Sequence, residues 1–173
     1  MDLASFIRNV PDFPKPGIQF KDVTTLLREP AAFRYIIDFW AARYADQKLD
    51  ALVGVDARGF VFGAPLAYTM GLPFILARKK GKLPGDTIGE EFDLEYGTDT
   101  VEVHVDALPA GSRVVIIDDL LATGGTVAAV VRLMQKLDVE TVEAAFVVEL
   151  PPLKGRERLA PLPVHSLVEF MVD

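Results

Sequence analysis

Two kinds of hydrophobic pattern alternate along this chain. Residues 52–55, 74–77, 114–117 and 142–148 are short apolar runs with little polar alternation, as in strands buried on both faces of a parallel sheet. Between them, Phe33, Ile36, Ile37, Trp40 and Tyr44 recur on or near one helical face behind Pro30. Residues 60–70 predict a second helix, interrupted by Gly63 and Pro65, where a close approach or kink is expected. Val127, Val130, Val131 and Met134 mark a third. Strand and helix in alternation predict an α/β fold: a central, mainly parallel sheet flanked by helices.

The remaining segments are less regular. Val101, Val103 and Val105 alternate with Glu102, His104 and Asp106, a half-exposed strand, and residues 164–170 close the chain as an edge element. Leu3, Phe6, Ile7 and Val10 have the spacing of a short amphipathic helix. Residues 11–23 contain Pro11, Pro14, Pro16 and Gly17, which exclude regular structure, yet Phe13, Ile18, Phe20 and Val23 give the segment an apolar face. Such a rigid loop suits a lid over a flat ligand, or a patch pinned to the core or to a partner chain. Residues 78–97 are the least regular stretch, and an irregular segment of that length inside a compact domain is functional or disordered.

Composition narrows the function. A chain of 173 residues favours one domain with a sizeable core. The formal charge of −7 argues against nucleic-acid partners and requires any anionic ligand to meet a local basic cluster. Absence of cysteine excludes disulfides and thiolate zinc sites and fits a reducing, cytoplasmic setting. No secretory pattern opens the chain, and no apolar run approaches the roughly 18 residues of a membrane span.

The chemistry concentrates in residues 114–126, VVIIDDLLATGGT. A buried strand ends at the adjacent carboxylates Asp118 and Asp119; Thr123-Gly124-Gly125-Thr126 then opens a helix. Unpaired N–H groups and partial positive charge at a helix N-terminus, with glycines permitting close approach, suit a phosphate. Carboxylates accept hydrogen bonds only, so the acidic pair suits hydroxyl donors, and a sugar phosphate with a vicinal diol would satisfy both halves. The loop is not a Walker loop, because no lysine precedes Thr126. Arg58, at the carboxyl end of a strand, either pairs with Asp56 or offers a donor fork to pyrophosphate. The run Arg78-Lys79-Lys80-Gly81-Lys82 is either a solvated basic stretch or an anion site. His104 and His165 have no second ligand at zinc spacing and read as structural.

Residues 114–126 resemble the phosphoribosyl-pyrophosphate (PRPP) motif of type I phosphoribosyltransferases. Residues 54–67 (GVDARGFVFGAPLA) resemble that family's pyrophosphate loop, with Asp56 where a glutamate commonly stands, and RKKGKLPG resembles its basic segment. Residues 9–27 (NVPDFPKPGIQFKDVTTLL) resemble the amino terminus of its adenine-specific members, and residues 95–99 (EYGTD) the tail of its mobile loop.

The resemblance implies a type I phosphoribosyltransferase fold with an N-terminal hood (residues 1–28) and a mobile loop (residues 78–97). It implies PRPP contacts from Asp118, Asp119, Ala122, Thr123, Gly124, Gly125 and Thr126. Arg58, Arg78, Lys79 and Lys82 would bind pyrophosphate, and Phe20, Lys21, Val23 and Leu120 would bind adenine, largely through main chain around Lys21 and Val23. Glu95, Tyr96 and Arg58 would be catalytic. Mg²⁺ would arrive on PRPP rather than in a protein cage, with Asp118 and Asp119 as candidate ligands. AMP and pyrophosphate would be the products, and a homodimer is expected. The alternatives are another purine or pyrimidine base, or a non-catalytic PRPP sensor; the acidic charge and short amino terminus disfavour the sensor.

Overall fold

A computed structural model describes residues 1–94 and 97–171. Strands β1 (Arg8–Pro11) and β2 (Gln19–Asp22) form an antiparallel hairpin, followed by the single-turn helix α1 (Thr24–Leu27) and by α2 (Pro30–Tyr44). Strand β3 (Ala51–Val55) leads to α3 (Arg58–Met70) and β4 (Phe74–Lys79). Strands β5 (Thr87–Asp93) and β6 (Thr98–His104) pair with each other before β7 (Arg113–Leu121), α4 (Gly125–Lys136), β8 (Glu140–Glu149), α5 (Gly155–Leu159) and β9 (Val164–Glu169).

The main sheet has seven strands in the order β5-β6-β4-β3-β7-β8-β9. Strands β4, β3, β7, β8 and β9 are mutually parallel, and the β5–β6 hairpin adds antiparallel to β4 through Arg78–Glu102 and Lys79–Val101. The apolar runs form the fully buried centre because helices cover both faces. Val115 and Ile117 pack with Trp40, Phe62 and Leu66 of α2 and α3. Val114 and Ile116, pointing the other way, pack with Val130, Leu133 and Met134 of α4. Burying these side chains, at ~1.5–3 kcal/mol for each large one, drives the collapse that sets the strand register.

Several elements depart from the sequence pattern. Strand β7 does not stop before the carboxylates: it continues to Leu121, so Asp118 pairs with Phe146 in the ladder and Asp119 lies within the strand. Arg58 and Gly59 belong to the first turn of α3 rather than to a loop. The predicted amino-terminal helix is one 3₁₀ turn, Leu3–Phe6, and Val10 lies in β1. The prolines bound that hairpin instead of excluding it, with Asn9 opposite Lys21 and Pro11 at the strand end, where a missing N–H is tolerated. Much of the 78–97 stretch is ordered as β4's end and β5, which their own alternation hides because β5 lies at the sheet edge with mostly polar side chains. Gly63 does mark a close approach: a Cβ there would lie 2.6 Å from the Phe74 ring.

Candidate active site

The carboxyl ends of the parallel strands β3, β4 and β7 converge on one edge, where open α/β sheets place their ligands. Gly54 is opposite Ile117 in the ladder, so Asp56 and the acidic pair lie side by side just beyond it. Asp118 Oδ1 accepts the backbone N–H of Asp119 at 2.9 Å. Asp119, 3% exposed, accepts a hydrogen bond from Nε of Arg58. Burial pushes the Asp118 carboxyl well above the usual carboxylate range; the Asp119 charge pushes it further, and Arg58 partly offsets both. The pair therefore favours partners that donate hydrogen bonds or bring positive charge.

Glycine makes this arrangement possible at one point of α3. A Cβ on Gly59 would lie 2.6 Å from the Ile117 carbonyl oxygen and 3.1 Å from Asp118 Oδ1. The helix can thus seat its first turn directly on β7 and present Arg58 to Asp119. Arg58 is not paired with Asp56, as one reading of the sequence had it. Arg78 holds Asp56 instead, at 3.2 Å. Lys79 is 3.7 Å from Asp99 of β6. Lys82 lies in the exposed turn after β4 with no ion pair among the described residues.

The glycine–threonine turn opens a helix, as the sequence pattern predicts. Gly124, at φ 78°, is the N-cap of α4 in the left-handed region that glycine adopts freely, and Gly125 opens the helix. No cap side chain bonds the N-terminal N–H groups, a terminus of the kind that suits an anion. Thr123 is exposed and Thr126 half-buried; Ala122 is half-buried beneath them. Thr126 shares a cavity of about 140 Å³ with Asp56, Lys79, Phe92 and Asp99, which joins the loop to the basic segment.

The β1–β2 hairpin reaches over the same edge. The Phe20 ring centroid is 5.8 Å from the Arg58 guanidinium and 5.2 Å from that of Phe13. Lys21 donates to Asn9 Oδ1 at 2.9 Å and lies over Phe170, so its side chain is engaged while its main chain follows the strand. Val23 is 2% exposed, and its carbonyl accepts the Leu27 N–H at 3.2 Å. Leu120 is half-buried in β7, two residues beyond Asp118. Glu95 and Tyr96 lie outside the described residues. His104 is 2.7 Å from the Pro84 carbonyl oxygen, a structural contact with the turn before β5. His165 stacks on Phe39, away from the site.

The largest of the described cavities, about 560 Å³ between α4 and residues 158–163, contains none of these groups. Sequence reasoning overlooked two contributors near the loop, Gly155 and Arg158, because a Pro-Pro break and a short charged helix carry no local sign of what they touch.

A sheet edge of this construction, with a carboxylate pair beside an anion-ready helix terminus and flanking basic side chains, has the donors and acceptors to hold a sugar phosphate. Residues 22–164 match the phosphoribosyl transferase domain, and the chain belongs to that family. Within it the chain is a member of the adenine phosphoribosyltransferases. It is 56% identical over 169 residues to the adenine phosphoribosyltransferase of Roseiflexus sp. (strain RS-1), covering 98% of each chain. The crystal structure of adenine phosphoribosyltransferase from Thermoanaerobacter pseudethanolicus superposes with a TM-score of 0.94 at 47% identity, covering 98% of each chain. The Saccharomyces cerevisiae enzyme, complexed with D-2,5-dideoxy-2,5-imino-altritol 1,6-bisphosphate and adenine, gives 0.91 at 40% identity and 96% coverage of each.

Proposed function

We propose that this protein transfers the 5-phosphoribosyl group of PRPP to adenine, forming AMP and pyrophosphate. One observation carries the reading: Asp118 and Asp119 stand on β7 immediately before a phosphate-ready turn, with Arg58 seated on Asp119. The diol of a ribose satisfies the carboxylates as donors, and its 5′-phosphate satisfies the N–H groups at the start of α4.

In the proposed reaction the bond from ribose C1 to pyrophosphate breaks with its electron pair, and a nitrogen of the adenine imidazole ring bonds to C1. An oxocarbenium-like transition state is expected, as in glycosyl transfer generally. Arg58, Arg78 and Lys79 place positive charge where the departing pyrophosphate gains negative charge, with Lys82 in support. Phe20 and Leu120 enclose the adenine ring, and main-chain groups at Lys21 and Val23 read its edge. Glu95 carries the proton at the imidazole ring and Tyr96 assists it. Closure of residues 78–97 excludes water from the activated ribose.

Among the described residues no group of three or more His, Asp or Glu forms a metal cage. Two adjacent carboxylates are hard oxygen donors that fit Mg²⁺ bound mainly through substrate phosphates and water. When bound there, Mg²⁺ would neutralise pyrophosphate charge. No described helix is long and apolar enough to cross a membrane; a cytoplasmic location belongs to the proposal. So does a homodimer, supported by the exposed apolar residues Phe13 and Ile18 of the amino-terminal segment and testable by sedimentation equilibrium.

The deciding experiment measures AMP formed from PRPP and adenine with Mg²⁺, with hypoxanthine and guanine as competitors. Preference for either competitor, or no transfer, overturns the reading. Glu95→Gln should slow the chemical step by about 10²- to 10⁴-fold; an unchanged rate removes Glu95 as proton carrier.

A further inference from the structure

The phosphate loop has no positive side chain of its own, since residues 118–127 contain neither lysine nor arginine. It also stands beside two carboxylates in a chain of formal charge −7. Backbone N–H groups, the hydroxyls of Thr123 and Thr126 and the α4 dipole, equivalent to roughly half a charge, are what the loop itself brings to a doubly charged phosphate, and none carries a full positive charge.

Helix α5 is pressed against that loop. A Cβ on Gly155 would lie 2.4 Å from the Ala122 carbonyl oxygen, and one on Gly124 would lie 3.0 Å from the Gly155 carbonyl oxygen. Glycine at both positions lets the two backbones meet. The contact brings Arg158 alongside the first turn of α4: its Nη1 would lie 2.9 Å from a Cβ on Gly125. Arg158 and Gly125 also line a cavity of about 240 Å³ with Asp93 and Thr98, which flank the tip of the β5–β6 hairpin. Neighbouring arginines are neutralised, Arg132 by Glu90 and Arg156 by Glu149. Arg158 is exposed, and its guanidinium makes no hydrogen bond or ion pair with any described residue.

We infer that Arg158 is a phosphate-binding residue, supplying from α5 the positive side chain that the loop lacks. Its guanidinium flanks the helix terminus and draws in the 5′-phosphate shared by PRPP and AMP, as the planar donor fork of arginine suits. The inference rests on the phosphoribosyl-transfer reading given above.

Arg158→Gln and Arg158→Lys test it. Both change an exposed side chain without partners, so the fold should persist. The glutamine variant should raise KM for PRPP and Kd for AMP by about 3- to 10-fold, with kcat within about twofold. Its affinity for magnesium pyrophosphate, which has no 5′-phosphate, should not change. The lysine variant should recover most of the loss, and the gap between wild type and the glutamine variant should narrow with added salt. Unchanged AMP affinity in Arg158→Gln, an equal loss for pyrophosphate, or a lysine variant as weak as the glutamine one would each overturn the assignment. Wild-type protein that fails to make AMP overturns the underlying reading; active wild type with an indifferent Arg158→Gln overturns the role of Arg158 alone.

Discussion

Gly59→Ala adds one methyl group at the seam between α3 and β7. The new Cβ would stand 2.6 Å from the Ile117 carbonyl oxygen, about 0.8 Å inside ordinary contact, and 3.1 Å from Asp118 Oδ1. The carbonyl belongs to a central strand hydrogen-bonded on both sides, so it cannot withdraw, and the first turn of α3 must lift instead. Overpacking of this kind costs about 1–3 kcal/mol, while alanine in a helix regains about 1 kcal/mol over glycine. A net loss of up to about 2 kcal/mol remains, which lowers the melting temperature by at most roughly 8 °C for a chain of this size. The effect on activity should be larger. Lifting the turn separates Arg58 from Asp119, and misplacement approaching 1 Å at a reacting centre costs on the order of 10²-fold. Gly63→Ala is the control: its Cβ would clash with the Phe74 ring at 2.6 Å and meet Ile117 Cβ at an ordinary 3.6 Å, touching no site backbone, so stability should fall while kcat/KM stays within about threefold. Thermal unfolding and steady-state kinetics on both variants test the argument. If Gly59→Ala keeps full kcat/KM, or Gly63→Ala loses activity equally, the seam does not position the site.

Other outcomes follow from the charges. Asp118 is held above its ordinary pKa by burial and then by Asp119, so the folded state disfavours its ionised form. That cost is absent below the unfolded value of about 3.9 and grows as pH rises toward the folded value. Asp118→Asn should therefore be more stable than wild type at neutral pH and equal to it near pH 3, while kcat/KM for PRPP falls at least about 10²-fold. Denaturation across pH checks this, and a stability gain confined to acid would contradict it. Tyr44 donates to Glu143 at 2.5 Å, and Arg43 grips the same carboxylate at 2.9 and 2.7 Å, three ladder steps below Asp118 in the neighbouring strand. Tyr44→Phe should cost about 1–2 kcal/mol in urea unfolding without altering kcat/KM by more than about twofold. Gly155→Ala, whose Cβ would meet the Ala122 carbonyl oxygen at 2.4 Å, should displace the phosphate loop and raise KM for PRPP more than it lowers stability; kinetics beside a melting curve separate the two.

The sequence by itself determined the layered α/β arrangement and the heart of the site. Residues 114–117 are apolar without alternation, which only a strand covered on both faces explains. The acidic pair, the glycine–threonine turn and the helix after it are contiguous, so local chemistry alone assembles them. Tertiary structure decided the rest. Which carboxylate Arg58 and Arg78 each take depends on the register of β3 and β4 and on how closely α3 seats on β7, neither of which leaves a mark in the residues concerned. The hairpin β1–β2 and strand β5 were hidden for a related reason: edge and surface strands have no apolar run to announce them, and their order comes from pairing partners, whereas the alternation of residues 101–106 did announce β6. Gly155 and Arg158 lie some 30 residues beyond the loop they touch, and only the parallel pairing of β8 beside β7 brings them to it.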